Sequence, residues 1–171
     1  MANTAAWIAG AGQGLSWGAL FANADINASD AGNGLGNTHT VLSSQGDITN
    51  GTALDIYMDV SYRFTIASNT IAAGANIAFW LYLLNQDATA YGDNQFTAGT
   101  AAALTPSMPP VATMPIPAVA STTNIYGTIQ GIVLPPGIFR MALQNNCGFA
   151  FSNTLGSQAV KYRTYKVNLN S

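Results

Sequence analysis

Charged side chains are scarce in this 171-residue sequence. Lys and Arg number 5 and Asp and Glu number 7, so charged residues make up 7% of the chain, against about 25% in ordinary soluble domains. Glutamate is absent. Long solvated helices need Lys and Glu on their outer faces, so this composition argues against a helical fold. With so little charge to keep a monomer soluble, we expect copies or partners to cover part of the surface.

A single cysteine, Cys147, excludes an internal disulfide, so packing alone must hold the fold together. We expect a buried, inert thiol at this position. No run of about 18 apolar residues indicates a membrane span, and no basic segment followed by an apolar run indicates a signal peptide. These absences predict no membrane partner and synthesis in a cytoplasm.

The few charges are unevenly distributed. Residues 1–93 hold all seven aspartates and one arginine, a net charge of −6, whereas residues 94–171 hold four cations and no acid, a net charge of +4. So few cations cannot neutralise a nucleic-acid backbone, which excludes nucleic acid as a partner. The asymmetry either solvates separate faces or lets the acidic surface of one copy dock on a basic strand of another.

Alternating polarity predicts strands. Apolar residues recur at every second position from Leu54 to Ile66, which indicates a strand with one buried and one exposed face. The alternation places Asp55 and Asp59 on the exposed face, about 13 Å apart at the strand rise. Residues 77–84 are apolar at nearly every position, as in a strand covered on both sides. Further strands are predicted over residues 125–134, 138–144, 147–151 and 159–169.

Two segments lack this periodicity. Residues 1–36 are rich in Gly, Ala and Asn, and we expect an extended N-terminal arm whose apolar residues dock on the parent domain or on another subunit. Residues 85–119 hold five of the seven prolines. Because proline lacks an amide donor, we expect this Pro-rich tract to stay outside the sheets as a long insertion loop. Residues 37–171 are then an all-β domain, an antiparallel β-sandwich of jelly-roll type, with the insertion inside it.

Motifs for catalysis are weak. The sequence GLSWG at residues 14–18 matches G-x-S-x-G, and Asp25 or Asp30 followed by His39 gives the order of a hydrolase triad. The pattern lacks the surrounding parallel sheet that a nucleophile elbow requires. His39 and Cys147 have no companion ligands for a metal ion. The prediction is therefore no enzyme, no cofactor and no metal site.

Two weaker binding patterns remain. Aromatic residues can stack on sugar rings, but the strand periodicity of most of those here favours the core or an interface; they are Trp80, Tyr82, Tyr57, Tyr91 and Phe96. A second group offers oxygen atoms to calcium, but its spacing matches no calcium loop and a polar turn is favoured; it comprises Asn85, Asp87, Asp93 and Asn94.

The chain as a whole resembles a known group of proteins. An uncharged, Asn/Thr/Ala-rich chain with Trp7 and Trp17 in a Gly-rich segment, and with the sequence LPPGIFRMALQNN at residues 134–146, is similar to tailed-bacteriophage virion proteins. Among these it most resembles the jelly-roll capsid decoration (cement) proteins. The resemblance implies a β-sandwich made in the host cytoplasm that binds the major capsid protein on the virion surface, as a homotrimer or homodimer.

Six apolar residues are the predicted partner-binding anchors: Trp7, Trp17, Phe21, Met108, Met114 and Ile116. They come from the N-terminal arm and from the Pro-rich tract. The alternative is a receptor-binding or fibre-tip domain of the same fold that recognises a glycan on the host surface. A major capsid protein of a small virus is disfavoured, because the chain has no basic arm to package a genome.

Overall fold

A computed structural model describes residues 4–9, 17–22, 25–26, 34–65, 71, 73–85, 91, 97–103, 106–118, 124–154 and 158–170. Of residues 4–9 and 167–170 it describes the backbone alone. Eleven β-strands follow one another along the described chain: β1 Thr4–Ala9, β2 Gly18–Ala19, β3 Thr40–Leu42, β4 Ile48–Asn50, β5 Tyr57–Thr65, β6 Asn76–Leu83, β7 Ala101–Ala102, β8 Ala112–Pro115, β9 Asn124–Val133, β10 Gly137–Asn146 and β11 Ala159–Asn170.

The strands form two antiparallel sheets. The first sheet has the order β1-β11-β5-β9, with β2 also paired to β11. The second sheet has the order β7-β3-β10-β6-β8, with β4 also paired to β10. Both sheets contribute to one buried apolar cluster, so they pack face to face. The predicted all-β antiparallel sandwich is thereby confirmed.

The core lies between the inner faces of the sheets. Met58 and Phe64 of the first sheet and Phe79 and Leu143 of the second are fully buried. Phe64 stacks on Phe151 with ring centroids 4.7 Å apart. Burying each such side chain contributes about 1.5 to 3 kcal/mol, which holds the fold without a disulfide. Cys147 is also buried, as predicted.

Strand bounds agree with the alternation except where the backbone turns. The predicted strand over residues 147–151 is wrong: residues 147–149 bend, and Phe151 forms a single bridge. Gly148 has a φ of +86°, and the Asn145 side chain accepts a hydrogen bond from the Cys147 amide. Both features turn the chain away from extended geometry. Leu54, with a φ of +48°, likewise precedes β5 and is not part of it.

The N-terminal segment belongs to the sandwich. β1 and β2 both pair with β11, and Leu20 and Phe21 are buried in the core. The Leu20 amide donates to the Val160 carbonyl at 2.8 Å. Of the two expected docking partners, the described residues of this segment contact the chain's own domain, because strand pairing and apolar burial both attach them to it.

The Pro-rich tract also enters the sheets, against expectation. β7 pairs with β3 and β8 pairs with β6. Pro115 is the last residue of β8, which lies at the edge of the second sheet. Proline is tolerated at an edge because its missing donor faces no neighbouring strand.

The same tract covers the outer face of the second sheet. A second apolar cluster lies on that face: Leu42, Ala78, Trp80, Tyr82 and Ala142, with Tyr91 and Ala98 packed against it. Trp80 Nε1 donates to the Met108 carbonyl at 2.8 Å. The strand β6 is therefore buried on both sides, as its continuous apolar run predicted.

Candidate functional site

The outer face of the first sheet is solvent-accessible, in contrast to the covered second sheet. We call it the open face and define it by the outward side chains of β5, β9 and β11 and the tryptophan before β2: Tyr57, Asp59, Ser61, Arg63, Tyr126, Thr128, Lys161, Arg163, Tyr165 and Trp17. Lys161, Arg163 and Tyr165 point to one side of β11, while Val160 is buried on the other.

Asp59 lies beneath the open face and is 2% exposed, so its predicted exposure is wrong. Its Oδ2 accepts from Arg163 Nε at 3.0 Å and Nη2 at 2.8 Å. Its Oδ1 accepts from the Tyr165 hydroxyl at 2.8 Å and from the Gly131 amide at 3.0 Å. Four donors compensate the burial of this carboxylate.

Gly131 supplies its amide from an irregular stretch of β9. The β5–β9 register shifts between Met58 and Val60, and Gly131 has a φ of +70°. Glycine adopts this conformation at little cost, which lets the backbone N–H turn toward Asp59. Asp59 thus joins all three strands of the open face.

The donors around Asp59 set its protonation state. Burial alone would raise the pKa of the carboxyl, but the hydrogen bonds from Gly131, Arg163 and Tyr165 outweigh it and hold this pKa below its ordinary value. Burial, followed by the hydrogen bond to Asp59, raises the pKa of Tyr165 to about 12. Asp59 is therefore a charged anchor and is not poised as a general acid or base near neutral pH.

We call Asp59 and its three hydrogen-bond partners, Arg163, Tyr165 and Gly131, the clamp. Aromatic side chains flank it. The Arg163 guanidinium lies 4.8 Å from the centroid of the Trp17 ring, and the Tyr57 and Tyr165 rings are 5.7 Å apart. Tyr126 is paired with Arg63 across β5 and β9 and is 67% exposed. Aromatic rings and cations therefore alternate across the open face.

A second surface lies at one end of the sandwich. We call it the apolar end and define it by four exposed residues: Leu54, Ile56, Leu83 and Val133, with 52%, 45%, 51% and 66% of their surfaces exposed. Val133 pairs with Tyr57 at the start of β5, and Leu83 pairs with Phe139 at the start of β10. These pairings bring the four residues to the same end.

Side-chain hydrogen bonds fix the loops at the apolar end. Asn50 Nδ2 donates to the Asp55 carbonyl at 2.8 Å and to the Pro135 carbonyl at 3.2 Å. Lys166 Nζ donates to the Ala53 carbonyl at 2.8 Å. Asp55 itself is buried, against the prediction of an exposed position on β5. The turn at Leu54 also overturns the predicted burial of Leu54 and Ile56, because the alternation begins only at Tyr57.

The predicted anchors do not form one surface. Phe21 and Ile116 are buried in the chain's own core, so both are corrected as partner contacts. Met114 packs partly buried against that core, Met108 is 39% exposed, and Trp17 lies on the open face. For Trp7 the described backbone pairs with Val167, and its side chain lies outside the described part.

The weaker motifs find little geometric support. Asp25 accepts from the Ala22 amide and from both the amide and the hydroxyl of Ser44, at 3.0, 2.9 and 2.6 Å, so its carboxylate fixes a loop. Ser16 and Asp30 lie outside the described residues. Among the residues that are described, no group of three His, Cys, Asp or Glu side chains is placed to hold a metal ion.

The predicted aromatic platform is divided between surfaces. Trp80 and Tyr82 are buried, Tyr91 packs against their cluster and Tyr57 lies on the open face; Phe96 lies outside the described residues, as do Asp87, Asp93 and Asn94 of the calcium pattern. The aromatic residues of the open face were missed because Tyr126 and Tyr165 are far from Trp17 in sequence.

Within the described part of the chain, no helix has the length and apolar character to cross a membrane.

Comparisons with known proteins return no relative. No protein-family model matches the chain, and no curated protein and no solved structure matches it either.

Proposed function

We propose that this chain is a structural virion protein that binds the major capsid protein on the outer surface of a phage head, as a decoration or cement protein. The observation that carries the proposal is the apolar end. Four large aliphatic side chains, each about half exposed or more, lie at one end of the sandwich. Leu54 and Ile56 are in the loop before β5, and Leu83 and Val133 are the last residues of β6 and β9. Clustered exposed apolar residues in a folded domain mark a protein-contact surface.

The strand order supports the jelly-roll part of the resemblance. In the first sheet β11 lies between β2 and β5, and in the second β10 lies between β4 and β6. Early strands thus alternate with late strands in both sheets. We interpret this order as the two Greek keys of a jelly roll, with β7 as an addition at one edge.

The proposed mechanism is adhesive. Each apolar contact is modest, because association also costs translational freedom and side-chain ordering. Capsid symmetry, and a homotrimeric or homodimeric decoration protein, would repeat the contact several times and raise the avidity. Loops fixed by Asn50 and Lys166 reduce the ordering cost at the apolar end.

Variants of the apolar end test this proposal. We expect Ile56→Asn combined with Val133→Asn to lower co-sedimentation with undecorated phage heads at least about tenfold, because both side chains lose an apolar contact. The matched control is Phe149→Asn, which changes a 37%-exposed aromatic residue beyond the far end of β10. Equal binding by the double variant, with its fold verified by circular dichroism, would overturn the assignment of this surface.

A specific observation favours a second candidate, recognition of a host glycan. The open face gathers Trp17, Tyr57, Tyr126 and Tyr165 beside charged and hydroxyl side chains, and such rings can pack on the apolar faces of sugars. Under this candidate the free protein binds saccharides without any capsid. Absence of binding across a panel of host-surface glycans would refute it.

A further inference from the structure

We propose that the open face is a binding site for an acidic saccharide, a carbohydrate chain that carries carboxylates. The proposal rests on the second candidate function and adds the chemical class of the ligand. The open face meets the apolar end at the pair of Tyr57 and Val133. Lys161 and Tyr126 lie farther along the strands, opposite Ser61 and Arg63, so one molecule can contact a capsid with its end and a saccharide with its face.

Charge on the open face is the first observation. Three of the chain's five cations lie there, Arg63, Lys161 and Arg163, although the whole chain has a net charge of −2. Among the described acids only Asp59 lies beneath this face. Asp47 pairs with Arg140 on the second sheet, and Asp25 accepts hydrogen bonds in a loop, so neither carboxylate offsets this charge. The face therefore has a positive potential that attracts an anionic ligand.

The cations have different roles. Arg163 binds Asp59 with two nitrogens and stacks on Trp17, so it shapes the surface. The side chain of Lys161 is exposed, and its ammonium group has no hydrogen bond or ion pair within the described part of the chain. Its ammonium group is a compact donor with three N–H bonds, which suits a carboxylate oxygen. Lys161 is therefore the primary contact for the ligand's charge.

Aromatic rings on both sides favour a saccharide over other anions. Tyr126 is opposite Arg63 on β9 and stands 67% exposed, while Trp17 lies at the other side of the face beside Arg163. Lys161, opposite Ser61, is on the strand between them. A ligand that crosses the strands meets a ring, then cations, then a second ring. Sugar rings with carboxylate substituents present matching apolar faces and charges.

The site is rigid before the ligand arrives. Asp59 ties β5, β9 and β11 together through Arg163, Tyr165 and Gly131, and the Trp17 ring is held against Arg163. A preorganised surface loses less conformational entropy on binding. Nucleic acid is the less suitable anion, because three cations neutralise few phosphates.

Titration calorimetry with matched polymers tests the proposal. We would measure binding of polygalacturonate, hyaluronate and polysialic acid, each beside its methyl-esterified form, and of single-stranded DNA. Binding of an acid with at least about tenfold weaker binding of its ester supports the proposal. Equal binding of acid and ester would overturn the acidic selectivity while leaving glycan recognition intact. No binding of any polymer would overturn both, and DNA binding as tight as the best acid would reduce the site to an unspecific polyanion surface.

Point variants locate the site. We expect Lys161→Gln to weaken binding of the acid about tenfold and to leave the weak binding of the ester unchanged. Tyr126→Ala should weaken both. Arg140→Gln is the matched control, since it removes one positive charge from the opposite sheet. Equal losses in Lys161→Gln and Arg140→Gln would show that only net charge matters and would contradict the assigned site.

Discussion

Arg163 and Asp59 form the central ion pair of the first sheet: the guanidinium donates from Nε at 3.0 Å and from Nη2 at 2.8 Å to one carboxylate oxygen. Tyr165 and Gly131 occupy the other oxygen. The carboxylate is almost fully buried, whereas 29% of the arginine side chain is exposed. The pair therefore joins β5, β9 and β11 beneath the open face and leaves one side of the arginine available at the surface.

The first prediction concerns this carboxylate. Asp59→Asn should lower the free energy of unfolding by about 2 to 3 kcal/mol, because it removes the charge partner of a partly buried guanidinium and replaces one acceptor with a donor. Urea denaturation measures the loss. Ser61→Ala, one outward position along β5, serves as the control with a change within about 0.5 kcal/mol. Equal effects of the two variants would show that the clamp contributes nothing to the free energy of unfolding.

Stability should also depend on pH through Asp59. Its folded pKa lies below the ordinary value of 3.8, so the unfolded chain takes up a proton first as the pH falls. This contribution is present above about pH 4 and is lost as the pH falls through the folded pKa. The pKa of Asp47 is lowered in the same sense, because hydrogen bonds from Tyr91 and Arg140 outweigh burial.

Thermal melts between pH 7 and pH 2.5 would check this dependence. We expect the Tm of the wild type to decline in the acidic part of this range, and the Tm of Asp59→Asn to decline less. Asp47 adds less than Asp59, since its side chain is 35% exposed and solvent screens its ion pair. Parallel declines in the two proteins would assign the acid sensitivity to other groups.

The N-terminal segment provides the third prediction. Phe21→Ala should cost about 3 to 4 kcal/mol of unfolding free energy, because the side chain is buried in the core. Phe149→Ala, at an exposed position, should cost much less. Chemical denaturation of both variants distinguishes a core residue from an arm residue. A Phe21→Ala protein as stable as the wild type would mean that this side chain does not contribute to the core and would favour docking on another subunit.

Cys147 should resist modification in the folded protein. Burial raises the pKa of its thiol to about 12, so the thiolate population is small at pH 8. We expect an aromatic disulfide reagent to label it slowly under native conditions and at once in denaturant. Fast labelling of the native protein would mean that the thiol is accessible.

Sequence periodicity predicted where the strands lie better than it predicted which segments contact them. The continuous apolar run of β6 correctly predicted burial on both sides. The alternation through β5 predicted the strand, but it misassigned the exposure of Asp59 and of the residues before Tyr57. The sequence predicted a cover over β6 but not the segment that supplies it, because β7 and β8 are too short to show a period and proline suggested a loop. Likewise, Asp59 and Arg163 are 104 positions apart, and no local pattern connects them.

The sequence did not predict the apolar end or the open face, for a different reason in each case. Leu54 and Ile56 continue the alternation of β5, and only the positive φ of Leu54 removes them from the buried face. The open face draws Trp17 from the residue before β2, Lys161 from β11 and Tyr126 from β9, and only long-range pairing brings them into one sheet. Both surfaces depend on tertiary structure, so single-sequence reasoning predicted the fold class and not the contacts.

Counting bound copies on saturated phage heads shows whether the protein decorates capsids. Purified protein would be titrated onto undecorated heads and the copies per particle determined after sedimentation. We expect saturable binding at a copy number set by capsid symmetry, with a large loss for the Ile56→Asn, Val133→Asn protein and none for Phe149→Asn. Absence of saturable binding by the wild-type protein would contradict a role as a decoration protein.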